Sequence, residues 1–386
     1  MTPRERVRTT LVHQEPDRIP IDFGSRSSAF EEQPYRELQA HLKIEEEIRP
    51  FIRAHAVMSE EVLDFLQVDT RWIRSIPASS WFSDDEGDVY LDRWNVPWRR
   101  KRGSLYYELE PSPLVTMQRE DVERLEIPEL ISDEMLDDMR VQAEGYDRDT
   151  DYSLWCDVVG AGIFERAWYL RGFEQFVMEM MVEKRFAHAF FEKILETQIS
   201  AYRKLLEAIG THIEGVLITD DVAMQDSLVM SPETYREMLK PYQKRLIESI
   251  QAYGVSVLWH SCGAIYPLIP DFIDMGVRIL HPVQTSAQDM DPQRLKQQFG
   301  RDLVLWGGGC DIQTVLQTAT SAEVIEEVQR KISKLAPGGG FVFTTTHCIQ
   351  PDTPLENILA MVEAYKRLGY YPQLDNTQSD ETGVMQ

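Results

Sequence analysis

A closed (β/α)8 barrel is the fold this sequence predicts, and three observations carry it. Eight short apolar runs stand outside one insertion, at residues 19–23, 68–73, 152–157, 214–219, 256–259, 278–282, 302–306 and 340–345. Helical patterns alternate with them, as βα units require. No Gly-rich phosphate loop follows the first run, which disfavours an open doubly wound sheet.

Taken in order, Thr2-Pro3 caps a first amphipathic helix that ends near Glu15-Pro16. Arg18 to Gly24 reads as a strand stopping at glycine. Residues 34–47 and 50–66 read as helices, and 68–73 as the second strand. Residues 88–108 alternate apolar and polar around Asn95-Val96-Pro97 and Arg102-Gly103-Ser104. They predict a β-hairpin or small meander, inserted at about 80–115. Its aromatics (Tyr90, Trp94, Trp98, Tyr106 and Tyr107) either pack it onto the barrel or face a partner. Helix resumes near 119–143, and the longest helix is expected at about 181–208. Ser231-Pro232-Glu233 opens another, running to about 252. Cys156 is expected to fill the barrel. Residues 1–373 are expected to form one domain. The polar tail 374–386 is expected to be disordered.

Charge narrows the function. The 386 residues hold 40 Lys and Arg against 64 Asp and Glu, a net charge of −24. Such a chain repels nucleic acid and anionic membrane. No run of about 18 apolar residues exists to span a bilayer. The N-terminus is basic but has no apolar core behind it, so it does not read as a secretory signal. Four cysteines do not make a disulfide scaffold. A cytoplasmic protein is the expectation, and a homodimer is left open.

A barrel of this kind keeps its chemistry at the C-terminal ends of its strands. Those ends carry Asp22 and Arg26, Asp69 and Arg71, Asp157, Asp220 with Asp221, His260 with Cys262, His281 with Gln284, Trp306 leading to Cys310, and His347 with Cys348. His260-Ser261-Cys262 is the sharpest signal. An imidazole and a thiolate two residues apart can turn to one point, and zinc takes both, at about 2.0–2.1 Å and 2.3 Å. Cys348 and Cys310 lie on the same rim as further donors. The bland reading has His260 hydrogen-bonded on the rim and Cys262 packed as a small hydrophobe. For Asp220-Asp221, adjacent strand residues point opposite ways, so one can face the pocket while the other caps a helix. Paired acid and base work is the other reading.

These residues resemble the uroporphyrinogen decarboxylase superfamily, in its methyltransferase-like branch. The resemblance runs from Glu15-Pro16-Asp17-Arg18-Ile19-Pro20 to the last helix. It is strongest at His260-Ser261-Cys262-Gly263, His281-Pro282-Val283-Gln284, Met290-Asp291-Pro292, Trp306-Gly307-Gly308-Gly309-Cys310-Asp311 and Pro354-Leu355-Glu356-Asn357-Ile358. It implies the same barrel. The decarboxylases' Arg-Gln-Ala-Gly-Arg segment after the first strand is absent here, where Asp22-Phe23-Gly24-Ser25-Arg26 stands.

The resemblance implies methyl transfer between a corrinoid (methylcobalamin) protein and a small acceptor, tetrahydrofolate or a thiol. Zinc would be held by His260, Cys262 and Cys348, with Cys310 as the other donor. His260, Cys262 and Asp221 become the catalytic candidates. Asp220, Asp221, Gln284, Asp22, Arg26, Asp157 and Trp306 become the substrate-binding ones. The corrinoid must come on a separate protein or free in solution, because the carrier's Asp-x-His-x-x-Gly motif is absent here. The insertion is then a docking surface. The competing reading is a cofactor-independent decarboxylase of a non-porphyrin acid, with Arg26 and Arg71 as its cation clamp. A non-catalytic corrinoid- or ligand-binding protein is the third.

Overall fold

The computed structural model describes residues 1–75, 81–104 and 106–371. The expected tail from 374 lies outside them. Seven strands form one parallel sheet in sequence order: Thr70–Ile73, Ser153–Ala161, Gly215–Thr219, Ser256–His260, Ile279–His281, Val304–Trp306 and Phe341–Val342. Each is buried, as strands under a helical layer must be.

The eighth position is residues 19–23, and it closes the sheet without a regular ladder. Pro20 has no N–H to give. The Phe343 N–H donates to the Pro20 carbonyl, the Asp22 N–H to the Phe343 carbonyl, and the Asp69 N–H to the Ile21 carbonyl. The Ile21 N–H goes to a side chain instead, Asp69 Oδ2, at 2.8 Å. The expected first strand is therefore a bridging segment between the two edges.

Side chains fill the barrel in the alternation that a closed sheet dictates. Trp155, Leu217, Leu258, Ile279, Val304, Trp306 and Val342 pack inside, with Val7 of the first helix beneath them. Trp155 and Trp306 meet edge to face at 4.8 Å. Cys156 corrects the expectation of barrel filling. Its neighbour Trp155 points in, so Cys156 points out and joins the core beneath the helices.

The helices follow their caps. Thr2 and Glu5 form a capping box on Pro3–Leu11. The long helix is Lys184–Ile209. The helix from Ser231 breaks at Leu239 into Pro232–Met238 and Lys240–Gln251, because Pro241 cannot continue the ladder. Pro128 likewise separates the 3-10 turn Arg119–Arg124 from the helix Asp133–Asp149. Residues 50–66 depart most from expectation. Pro50–Ile52 and His55–Ala56 form a small antiparallel pair, and only Glu60–Phe65 is helical. Pairing with residues 30–31 overrides the helical pattern and brings His55 inward.

The insertion is an antiparallel meander of Trp81–Asp84, Gly87–Leu91, Pro97–Lys101 and Glu108–Leu109. It sits on the helix Ile163–Arg171. Trp98 meets Tyr169 edge on at 5.1 Å, and Arg166 pairs with Asp92 at 2.6 Å.

Barrel closure rests on a buried ion network. Asp69, 1% exposed, receives Arg6 at 2.6 Å and Arg18 at 2.7 Å. Its loss leaves Arg18 without a carboxylate and Arg6 with only Asp17. Asp69→Ala is expected to lower unfolding stability by about 3–5 kcal/mol in urea titration. A shift under 1 kcal/mol would deny the network this role.

Candidate active site

The sheet register levels the strand ends. His260 lies opposite both Thr219 and His281. The loops after these strands therefore start at one height, and their side chains converge. Cys262 Sγ lies 3.4 Å from His260 Nε2. His347 completes the group, and the three donor atoms all lie within 4.8 Å of one another. Among the described residues this is the one His/Cys/carboxylate group so disposed. Tetrahedral zinc bonds at the usual lengths set nitrogen and sulfur about 3.5 Å apart, so the His260–Cys262 edge already has that span. The donor set fits a zinc ion.

His281 orients His260. Their Nδ1 atoms are 2.7 Å apart and their rings stack at 4.8 Å. One nitrogen must donate. If His260 Nδ1 carries the proton, its Nε2 lone pair faces Cys262, the arrangement that metal-bound imidazoles take. Burial drives both rings toward the neutral form, His281 down to about 3. Burial also raises the Cys262 thiol, with Asp221 and Glu165 adding to it.

The two aspartates part as their alternation requires. Asp220 is fully buried and caps the helix Ile163–Arg171. It accepts from the Ile163, Phe164 and Glu165 N–H groups and from Gln243 Nε2. Asp221 turns to the mouth, with 36% of its side chain exposed. It accepts the Cys262 N–H at 2.7 Å and stands 3.8 Å from His260 Nε2. Partial burial, with the nearby Glu165 charge, holds the Asp221 carboxyl above the usual carboxylate range. Gly263 follows Cys262 at φ +92°, where a Cβ would meet the Met224 carbonyl at 2.6 Å. Its N–H donates to Gln284 Oε1 at 2.7 Å, so Gln284 pins this turn.

The other candidates are placed as follows. Asp22 is buried inside the barrel, where Thr70, Trp72, Trp306 and Ser28 all donate to it. Trp306 is thus a wall of the interior, tied to Asp22. Cys348 is buried beside the cluster and donates to the Arg26 carbonyl at 3.2 Å. Despite the upward push of burial, His55 and His347 bring its thiol down to about 6. Cys310 is buried with its Sγ 4.0 Å from the Asp311 carbonyl, outside the three-atom group. Asp157 receives the Arg26 N–H and Arg74. Arg71 points away from the mouth, to Glu60, Asp64 and the Tyr152 ring.

Sequence reasoning did not select His347, His55, Glu165 or Arg74. His347 had a signal, a strand end beside Cys348. His55 had none, because its segment reads as helix.

A barrel with polar and metal-donor groups at its strand ends is an enzyme scaffold. Residues 110–368 match the uroporphyrinogen decarboxylase (URO-D) family, and the chain belongs to that family. Among curated relatives, a methylated-thiol–coenzyme M methyltransferase of Methanosarcina mazei is 28% identical over 53% of this chain and 50% of its own length. A methylcobamide:CoM methyltransferase of Methanosarcina barkeri is 28% identical over 45% and 48%. A uroporphyrinogen decarboxylase of Thermus thermophilus is 28% identical over 48% and 49%. The chain spans about half the length of the curated relatives it matches. A solved methyltransferase from Methanosarcina mazei shares the fold, with TM-score 0.63 over 95% of this chain and 99% of that one, at 16% identity. Among the described residues, no helix is long and apolar enough to cross a membrane.

The aspartate pair gives a contrast. Asp220→Ala strips a cap and leaves Gln243 and three N–H groups unpaired. It is expected to cost about 2–4 kcal/mol of stability. Asp221→Ala, with water at hand, is expected to stay within about 1 kcal/mol. Equal losses in urea titration would remove the division of roles.

Proposed function

We propose that this protein is a methyltransferase that moves a methyl group from a methylated corrinoid to a small thiol. The convergence of His260, Cys262 and His347 carries this reading. The methylcobamide- and thiol-dependent names of two relatives support it.

His260 Nε2, Cys262 Sγ and His347 are the ligands we assign, with Cys348 as the neighbouring donor. Zinc bound there would hold the acceptor thiol as its thiolate at neutral pH. His281 fixes the His260 ring. Asp221, open to the mouth, takes the proton that the thiol gives up. A methylated corrinoid docked there would supply the methyl group to the sulfur lone pair, the electrons of its Co–C bond staying on cobalt. Asp220, Gln284, Asp22 and Trp306 are positioning residues in this scheme. We assign Arg26 and Asp157 to the acceptor's remote end. Tetrahydrofolate is the other acceptor that the same mouth would serve. The decarboxylase relative favours a second reading, metal-free decarboxylation of a small acid.

Protein purified without added metal is expected to hold about one zinc per chain, and Cys262→Ala to lose it. Wild type is expected to demethylate methylcobalamin when a thiol is supplied, and Cys262→Ala to fail. Tetrahydrofolate-dependent turnover without thiol dependence would reassign the acceptor. Metal-free protein that releases CO2 from a carboxylic acid would favour the second reading.

The meander is the surface we assign to a corrinoid carrier, because Phe82 and Tyr106 stand 49% and 46% exposed on it. Deleting the meander would also remove the buried Asp92–Arg166 pair, so point changes test it better. Phe82→Ser with Tyr106→Ser is expected to raise KM for a carrier-bound corrinoid and leave turnover of free methylcobalamin unchanged. Equal kinetics with both donors would remove this assignment.

A further inference from the structure

Three arginines from three separate elements line one small cavity beside the mouth. Arg26 follows the closing segment, Arg74 follows the strand Thr70–Ile73, and Arg93 belongs to the meander. Phe51, Tyr90 and Asp157 are among the other residues that wall this space of about 30 Å³. Asp157 is the one carboxylate among the residues lining it. It accepts the Arg26 N–H at 2.7 Å and Arg74 Nη2 at 3.2 Å. Three cations therefore face one anion.

The arginines are also short of acceptors. No guanidinium nitrogen of Arg26 donates to another described group, and its Nε is buried without a partner. The Arg74 Nε is orphaned in the same way, while its Nη2 also donates to the Gly24 carbonyl at 2.8 Å, and that side chain is 10% exposed. Arg93 reaches the Ser75 and Leu130 carbonyls and the Met135 sulfur, and no carboxylate. Burial first, then the charge of Arg26, brings it down to about 10. Three partly buried guanidiniums around one carboxylate leave positive charge in excess, and a bound anion is the ordinary remedy.

The backbone makes room for this arrangement. Gly160 has φ +87°, and a Cβ there would lie 1.9 Å from Arg26 Nη1. The strand Ser153–Ala161 shifts register between Cys156 and Gly160, which brings Asp157 and Gly160 against Arg26. The cavity also adjoins the metal-donor cluster. The Arg26 carbonyl accepts from Cys348, and its charge acts on His260.

We propose that Arg26, Arg74 and Arg93 receive the carboxylate end of the small molecule on which the mouth acts. Guanidinium forks match a planar two-oxygen anion edge to edge. That the bound molecule is the methyl acceptor rests on the reading above. The carboxylate site itself does not.

Thermal unfolding of the full chain tests it, with acetate, propionate, methanesulfonate and inorganic phosphate each titrated against chloride at equal ionic strength. A saturable rise in Tm is expected with the carboxylates. Arg93→Gln and Arg26→Gln are each expected to weaken their apparent affinity about tenfold or more. Arg93→Lys is expected to recover part of it. Cys262→Ala is expected to bind carboxylate as wild type does, which separates this claim from methyl transfer. No saturable carboxylate effect on wild type would overturn the proposal, whatever the variants do. So would an equal effect in both glutamine variants, or a response to phosphate or methanesulfonate alone.

Discussion

The barrel depends on two buried carboxylates that close it. Residues 19–23 must join the first and last strands of the sheet, yet Pro20 leaves them one N–H short. Asp69 takes the Ile21 N–H that a neighbouring strand would otherwise take, and holds Arg6 and Arg18. Asp22, three residues past Ile19, reaches inside and accepts from both Trp72 and Trp306. One carboxylate ties the seam from below and the other ties the interior across it. A buried polar group that is fully satisfied specifies one arrangement, while a half-satisfied one would be a liability.

That closure sets the geometry of the mouth. The strand ends at Thr219, His260 and His281 stay level only while the sheet holds its register. Each loop then turns a functional group inward. Asp221 and Cys262 meet through a backbone hydrogen bond, and Gln284 fixes the glycine that follows. Burial drives His260 and its partner His281 toward the neutral form, the state in which the His260 Nε2 can donate to a metal, while Cys348, against the downward push of burial, raises His347. Beside the mouth, Arg26, Arg74 and Arg93 gather around one aspartate.

Much of this was legible in the sequence because strand ends announce themselves. Apolar runs stopping at Asp, His or Gly located the barrel and marked His260, Cys262, Asp220 and Asp221. The period-2 rule also allowed one aspartate to cap a helix and the other to face the mouth, as the hydrogen bonds have it. What escaped was set by long-range pairing. Residues 50–56 carry a helical pattern, but their bonds to residues 30–31 make them a hairpin that delivers His55. Arg93 sits in a meander whose charges read as solvent-facing until its packing is seen. Arg74 lies one residue past a strand, beside Ile73, and nothing local distinguishes it from Arg71. Arg71 turns outward to Glu60 and Tyr152. Local pattern locates elements, and tertiary contact decides which of their charges meet.

The proposed methyl transfer requires that this mouth hold a metal through nitrogen and sulfur together. X-ray absorption at the zinc edge of the zinc-loaded protein reads that shell. Four-coordinate zinc is expected, with imidazole nitrogen at about 2.0–2.1 Å and one or two sulfurs at about 2.3 Å. A shell of oxygen and nitrogen alone would contradict it.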